Sequence, residues 1–312
     1  MYFSYKHDDW EWIEVEQKAD LKGELALQSH MSSKWFETLE KNKQNVIGNF
    51  TGVEGEEALW GRLTYDQSME SKSDTKTFSF FLTKDTLLTS QLNQNLFPKE
   101  SREEMEQKLT VSESATQAFI VLLNTVLHKF LEQIDQFEYR LRELIWGIKE
   151  NNNMDLLERI AQSRHELIIW NNLIIPLVEI QLTLEETFDD KVLQTNEYSR
   201  LCTRLNRIRM LIKEYSQEVE ALTDMESLVS NQRGNEIIKT LTVITTIFTP
   251  AAVFGAVWGM NFKSIPEFEW AHGYAFALTV ILSTTFGLFF YLKKKGWMGE
   301  ILKTKSNKSM FR

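Results

Sequence analysis

TLTVITTIFTPAAVFGAVWGMN, residues 240–261, decides how the rest of the 312-residue chain is read. The stretch holds no charged side chain, and as a helix Thr240 to Trp258 is long enough to cross a hydrocarbon core of about 30 Å. A second apolar stretch, Tyr274 to Leu292, stops at Lys293-Lys294-Lys295. The twelve residues between them, Phe262 to Gly273, are too few to form a domain. The pattern therefore predicts a helical hairpin in a membrane.

Charge orients that hairpin. Basic side chains beside a span stay on the cytoplasmic side, and Lys293 to Arg312 carries seven basic residues and one acid. The C-terminus is expected inside, and with two spans the long N-terminal part is expected inside too. The opening MYFSYKHDDWEWIEVE has no apolar core of signal-peptide length. The net charge of -9 is unevenly divided: the tail carries +6, Lys239 to Leu292 carries none net, and -15 remains on Met1 to Ile238. An acidic body of that kind disfavours nucleic acid as a partner and concentrates cations. The single Cys202 offers neither an internal disulfide nor a zinc cluster, as in a reducing compartment, and is expected to be inert.

Short runs rich in aromatic and β-branched residues predict strands at Glu11 to Val15, Asn45 to Gly52, Ala58 to Tyr65 and Thr77 to Thr83. Thr86 to Ser90 is expected to pair with the last of these across Lys84-Asp85. Leu25 to Asn42 reads as helical, so residues 1–100 form a small α/β domain of undetermined strand order. After Pro98 helices dominate. Leu123, Val126, Phe130, Phe137, Leu141 and Leu144 make one stripe along a long helix, which Asn151-Asn152-Asn153 breaks. A second helix runs from about Met154 to Thr187, with Pro176 as an expected kink. Residues 101–190 thus read as an antiparallel pair, closed by the acidic corner Glu185, Glu186, Asp189 and Asp190.

The segment 191–258 reads as a stalk helix continuing into the first span. Leu201, Leu205, Ile208, Ile212, Tyr215, Val219, Leu222 and Val229 keep steps of three, four or seven. With Gly234 tolerated inside it, this helix is about 100 Å long at 1.5 Å per residue. Its period fits packing of copies around an axis as well as an intrachain core stripe. The fold class is α+β: a cytoplasmic α/β domain, a helical stalk, an external loop at 259–273, a second span at 274–292 and a basic cytoplasmic tail at 293–312.

Gly259-Met260-Asn261 between two spans, with Phe262 next and Pro266-Glu267 downstream, resembles the signature of the CorA-type magnesium transport family. A lone hairpin cannot enclose a water-filled path, and the resemblance implies a homopentameric funnel in the cell membrane, with the first span lining the pore. It also implies that Gly259 and Met260 form the turn presenting Asn261 as a ring at the outer mouth. Steps of three and four from Asn235 give a candidate pore face of Ile238, Leu241 or Thr242, Thr245, Thr249, Ala252 and Ala256. By resemblance, Asn235 is an inner polar ring, Leu241 with Ile238 an apolar constriction, and Asp224 a ligand for regulatory magnesium between subunits. The plain alternative for Asp224 is a solvated acid. Thr245 and Thr249 either face hydrated ions or bond their own helix carbonyls. Two positions depart from the family: Thr249 replaces a larger apolar side chain, and Lys263 stands where members often carry an acid, leaving Glu267 and Glu269 in the loop.

Magnesium holds its waters tightly, so an entrance is better built to cage the hydrated ion than to strip it, and the Asn amide oxygen accepts from a coordinated water. No Walker phosphate loop, GxGxxG or HExxH occurs, and His165-Glu166 lacks a second ligand. The chain is therefore read as no enzyme, without an organic cofactor. Its expected partners are lipid, copies of itself and hydrated divalent cations, with Mg2+ both carried and regulatory. A potential of 100 mV supplies about 4.6 kcal/mol for a divalent ion, enough for influx without ATP. Cobalt or nickel is further expected cargo. The alternatives are a zinc or other divalent-metal transporter of the same superfamily, against which five dispersed histidines speak, and a non-conducting scaffold.

Overall fold

The computed structural model describes residues 3–6, 9–15, 45–53, 55–69, 71, 74–93, 97–150, 154–188, 190–261, 263 and 265–298. The predicted helix Leu25 to Asn42, the Asn151-Asn152-Asn153 break, Asp189 and the tail beyond Met298 lie outside those residues. The chain divides into two units, Met1–Ile148 with Asn152–Leu222, and Lys149–Asn151 with Thr223–Arg312.

The first unit opens with a sheet of six strands: β1 (Phe3–Lys6), β2 (Glu11–Val15), β3 (Val46–Phe50), β4 (Ala58–Gln67), β5 (Thr75–Leu82) and β6 (Thr86–Ser90). Their order is β1-β2-β6-β5-β4-β3. β2 and β6 run parallel and the other neighbours antiparallel. The tight β5–β6 return across Lys84-Asp85 agrees with the sequence; β1 was not expected. Four residues, two of them Ser and Lys, carry no period of their own, and β1 is defined only by its antiparallel partner β2.

Every residue of β6 and the last five of β5 are buried, and α2 covers one face of β5. Phe80 of β5 lies 4.7 Å from Phe119, and the Trp12 indole donates to Thr89 Oγ1 at 2.8 Å. Gly61 in β4 marks a close approach: a Cβ there would sit 2.4 Å from the Val46 carbonyl oxygen and 3.0 Å from the Phe80 ring.

The helices are α1 (Lys99–Leu109), α2 (Ala115–Glu150), α3 (Met154–Thr187), α4 (Asp190–Leu193), α5 (Asn196–Trp258) and α6 (Gly273–Lys294). α3 runs unbroken through Pro176 and packs on β3 and β4. Phe137 of α2 holds the layer together, its ring 5.4 Å from Trp170 of α3 and 5.7 Å from Tyr215 of α5. Tyr215 donates to Glu138 Oε2 at 3.1 Å; burial, then the neighbouring carboxylate, pushes its phenol up to about 12. Tyr198 likewise donates to Glu185, with its phenol raised for the same two reasons.

Among the described residues three helices are long and apolar enough to cross a membrane: residues 155–187, α5 and α6, with mean hydropathies of 1.6, 1.7 and 1.9. Half of the apolar window in α3 is buried inside the fold, against 11% for α5 and 6% for α6. α3 spends its apolar surface on the sheet and on Phe137. The apolar windows of α5 and α6 remain bare. α5 is one helix of 63 residues, about 95 Å long, and Gly234 and Pro250 both sit inside it.

Gly61→Ala is expected to destabilise the first unit by about 1–3 kcal/mol, since β3 and β4 must part to admit the methyl group. Gly147→Ala, at an ordinary 3.5 Å from Leu156 within α2, is expected to stabilise by about 0.5–1 kcal/mol. Denaturant midpoints of the two variants check the opposite signs.

Candidate functional site

The site belongs to the second unit, where the end of α5 lies against α6. Val243 is buried with Leu292 and Met298, and Ile247 and Phe289 pack on them. Pro250 is buried, while Phe254 and Trp258 are half-buried. These five α5 positions recur every three or four residues and so form one stripe toward α6.

At about 100° per residue, Asn235, Ile238, Thr242, Thr245, Thr249 and Ala252 fall on the opposite side of α5. All six are exposed, and Leu241, at the edge of this face, is 62% exposed. The threonine hydroxyls donate to their own helix: Thr242 to Ile238 O at 2.8 Å, Thr245 to Leu241 O at 2.9 Å, and Thr249 to Thr245 O at 2.7 Å. A hydroxyl that spends its proton this way still presents oxygen lone pairs outward. The two alternatives for the threonines are thus compatible: the backbone bond fixes the rotamer, and the acceptor stays free for a coordinated water.

Gly259 closes the helix, its N–H donating to Gly255 O at 2.9 Å, and the Met260 N–H donates to Val257 O at 3.3 Å. A Cβ on Gly259 would stand 2.8 Å from Gly255 O, so the residue that ends α5 just before Asn261 has to be glycine. Asn261 follows outside the helix and is exposed. Beyond it lies a single 3₁₀ turn, Pro266–Glu269. Trp258, Trp270 and Tyr274 line an apolar groove of about 390 Å³ where the loop meets α6.

Lys263 and Glu269 are exposed, and among the described residues Lys263 has no ion-pair partner; the Glu267 side chain lies outside them. Asp224 is exposed. Among the described residues no cluster of three or more His, Cys, Asp or Glu is disposed to hold a metal. Cys202 is partly buried, and burial pushes its thiol up, which lowers its reactivity.

One feature was missed by sequence reading. After α6 the Gly296 N–H donates to Lys293 O and the Trp297 N–H to Leu292 O, with Gly296 at φ +76°, the pattern of a Schellman cap. The cap turns the chain so that Met298 returns to Val243. Gly296 directly after three lysines was the available signal.

A helical hairpin with one polar-lined, exposed face fits a membrane transporter. The model of the CorA-like Mg2+ transporter protein family matches residues 8–294. The magnesium transport protein CorA of Bacillus subtilis is 34% identical over 303 residues, covering 96% of this chain and 95% of its own. The cobalt/magnesium transport protein CorA of Thermotoga maritima is 23% identical, covering 75% and 68%. The CorA magnesium transporter of Methanocaldococcus jannaschii shares the fold, with a TM-score of 0.67 at 16% identity over 95% of this chain and 93% of that one. The chain belongs to the CorA-like family, which is a family of transporters and not of enzymes.

Because Lys263 is exposed and without an ion-pair partner among the described residues, its effect is that of a bare positive charge in the loop. Lys263→Glu is expected to lower the half-saturating divalent concentration for uptake severalfold at low salt, and the gain is expected to shrink as monovalent salt screens it. Initial uptake rates at two salt concentrations check this; an unchanged half-saturation at low salt contradicts it.

Proposed function

We propose that this protein is a homopentameric channel that carries hydrated Mg2+, with Co2+ or Ni2+ as further cargo, into the cell down the electrochemical gradient. The observation that carries the reading is the bare face of α5. It runs from Asn235 to Ala252 on the side turned from α6 and leads to Gly259-Met260-Asn261. The magnesium and cobalt cargo of the relatives supports the choice of ion.

In this reading Asn235 forms an inner polar ring, Ile238 and Leu241 an apolar constriction, and Thr242, Thr245 and Thr249 rings of outward oxygen. Asn261, presented by Gly259 and Met260, is the outer ring that accepts hydrogen bonds from the ion's waters. Glu267 and Glu269 oppose Lys263 at the mouth. α5 and α6 are the two spans, with both termini cytoplasmic because Lys293, Lys294 and Lys295 hold the end of α6 inside. Asp224 binds regulatory Mg2+ together with carboxylates of another copy, so that cytoplasmic magnesium closes the pore.

Asn261→Ala is expected to abolish divalent uptake into liposomes while leaving the native mass of the oligomer intact, since it removes an exposed amide and little packing. Full uptake by the mutant pentamer contradicts the outer ring, and zinc uptake exceeding that of magnesium, cobalt and nickel in wild type contradicts the cargo. Asp224→Lys is expected to raise the magnesium concentration needed for protection against proteolysis, because a bridging carboxylate becomes a repelling cation. Superimposable protection curves reduce Asp224 to a surface acid.

A further inference from the structure

Two surfaces lie on opposite sides of the three-helix layer in the first unit. One is a groove of about 820 Å³ between α3 and α5. Leu167, Ile212 and Val219 are its buried floor, and Ile168 and Met210 its exposed shoulders. Arg164, Arg209 and Lys213 line it; among the described residues none of the three has an ion-pair partner. The other surface is a ridge on α2. Asp135, Tyr139, Glu143 and Trp146 recur there at steps of three and four and are all exposed, with Glu132 one step before them; Glu132 and Glu143 have exposed intrachain pairs with His128 at 3.6 Å and Arg159 at 3.9 Å, which a neighbour's cations would exchange or join.

The ridge and the groove face away from each other. Phe137 touches both Trp170 and Tyr215, so α2 sits on one side of the α3–α5 pair. The groove residues are turned by roughly a third of a circle from those contacts on both helices, and the ridge by about half a circle from Phe137. Surfaces on two sides of one molecule that are complementary to each other make a head-to-tail contact, which gives a ring where the rotation between copies closes.

The two surfaces are also at one height. α2 and α5 run parallel, with Arg204 bonded to Asn124 and Tyr215 to Glu138, separations of 80 and 77 residues. That register puts Glu132 level with Arg209 and Asp135 level with Lys213. α3 runs antiparallel, with Arg140 paired to Glu166 at 2.8 Å, which puts Glu143 level with Arg164. The minority charges match too: Arg142, beside the ridge, stands level with Glu220 at the groove wall. A rotation about an axis parallel to the helices therefore brings each acid of one copy to the height of a cation in the next, without sliding.

We infer that the α2 ridge of one copy seats in the α3–α5 groove of its neighbour, joining the cytoplasmic parts of the ring through Asp135–Lys213, Glu132–Arg209 and Glu143–Arg164 pairs around a Tyr139 and Trp146 anchor. The inference rests on the ring assembly proposed above. The occupant is a second copy because this chain itself supplies a surface with the matching charge order at the matching height.

Full-length protein in detergent, with Cys202→Ser and the pair Asp135→Cys and Lys213→Cys, tests it. Mild oxidation is expected to give a reducible ladder of covalent oligomers up to the size of the intact ring. Either new cysteine alone is expected to give none, and within one chain the two lie on opposite faces. A ring of full native mass that forms no ladder overturns the contact while leaving the proposed function standing; linkage by Asp135→Cys alone shows a two-fold contact and also overturns it. A monomeric native mass overturns both readings. As a second measurement, Lys213→Glu is expected to weaken the oligomer and Asp135→Lys in the same chain to restore it; failure of that restoration overturns the charge pairing.

Discussion

Inside hydrocarbon a backbone polar group has no water to bond, so a spanning segment must satisfy itself. With α5 and α6 as the proposed spans, the features of the second unit follow from that constraint together with the shortage of partners. Among the described residues α6 is the one long helix beside the end of α5, and it covers a single stripe of it, from Val243 to Trp258. The remaining faces of α5 have to be stable bare. The threonines meet the requirement by donating back to their own helix carbonyls, which removes the donors that would otherwise be unsatisfied in lipid. What they retain is acceptor oxygen, the group a hydrated cation can use.

α5 also shows how one helix can obey two solvents. Between Leu201 and Val219 its stripe is buried against the rest of the first unit, and the hydrophobic effect in water fixes its rotation there. From Val243 onward that driving force is weak among apolar surroundings, and packing against α6 sets the rotation instead. The helix itself is unbroken from Asn196 to Trp258.

Much of this was legible in the sequence, and the exceptions have physical causes. The bounds of α3, the unbroken α5, the two bare helices and the Gly-Met-Asn corner follow from periodicity, absent charge and helix-ending residues. Strand order was not legible, because β2 meets β6 across a long separation that no local pattern encodes. Hydropathy alone would also have added α3 to the spans, since its value of 1.6 barely differs from the 1.7 of α5. The difference lies in its partners: the sheet and Phe137 take up its apolar face. The Met298 return was hidden because a Schellman cap is a property of φ at Gly296, not of composition.

The placement of fixed charge limits how the proposed pore can work. On the face from Asn235 to Ala252 the residues Asn235, Ile238, Thr242, Thr245, Thr249 and Ala252 carry no charge, and Lys239, one turn after Asn235, stands at the edge of its inner end. A ring of carboxylates there would bind a divalent ion too tightly to release it, whereas neutral oxygens attract its waters and let it move on. The charges stand at the ends instead: Lys263 and Glu269 beyond Asn261, and Lys293 to Lys295 after α6. Selection by hydration and control by charge are thus assigned to different residues. A cation that crosses such a face keeps its shell, and its traffic is set by fields at the two mouths, outside the low-dielectric region where a single misplaced charge would stop it.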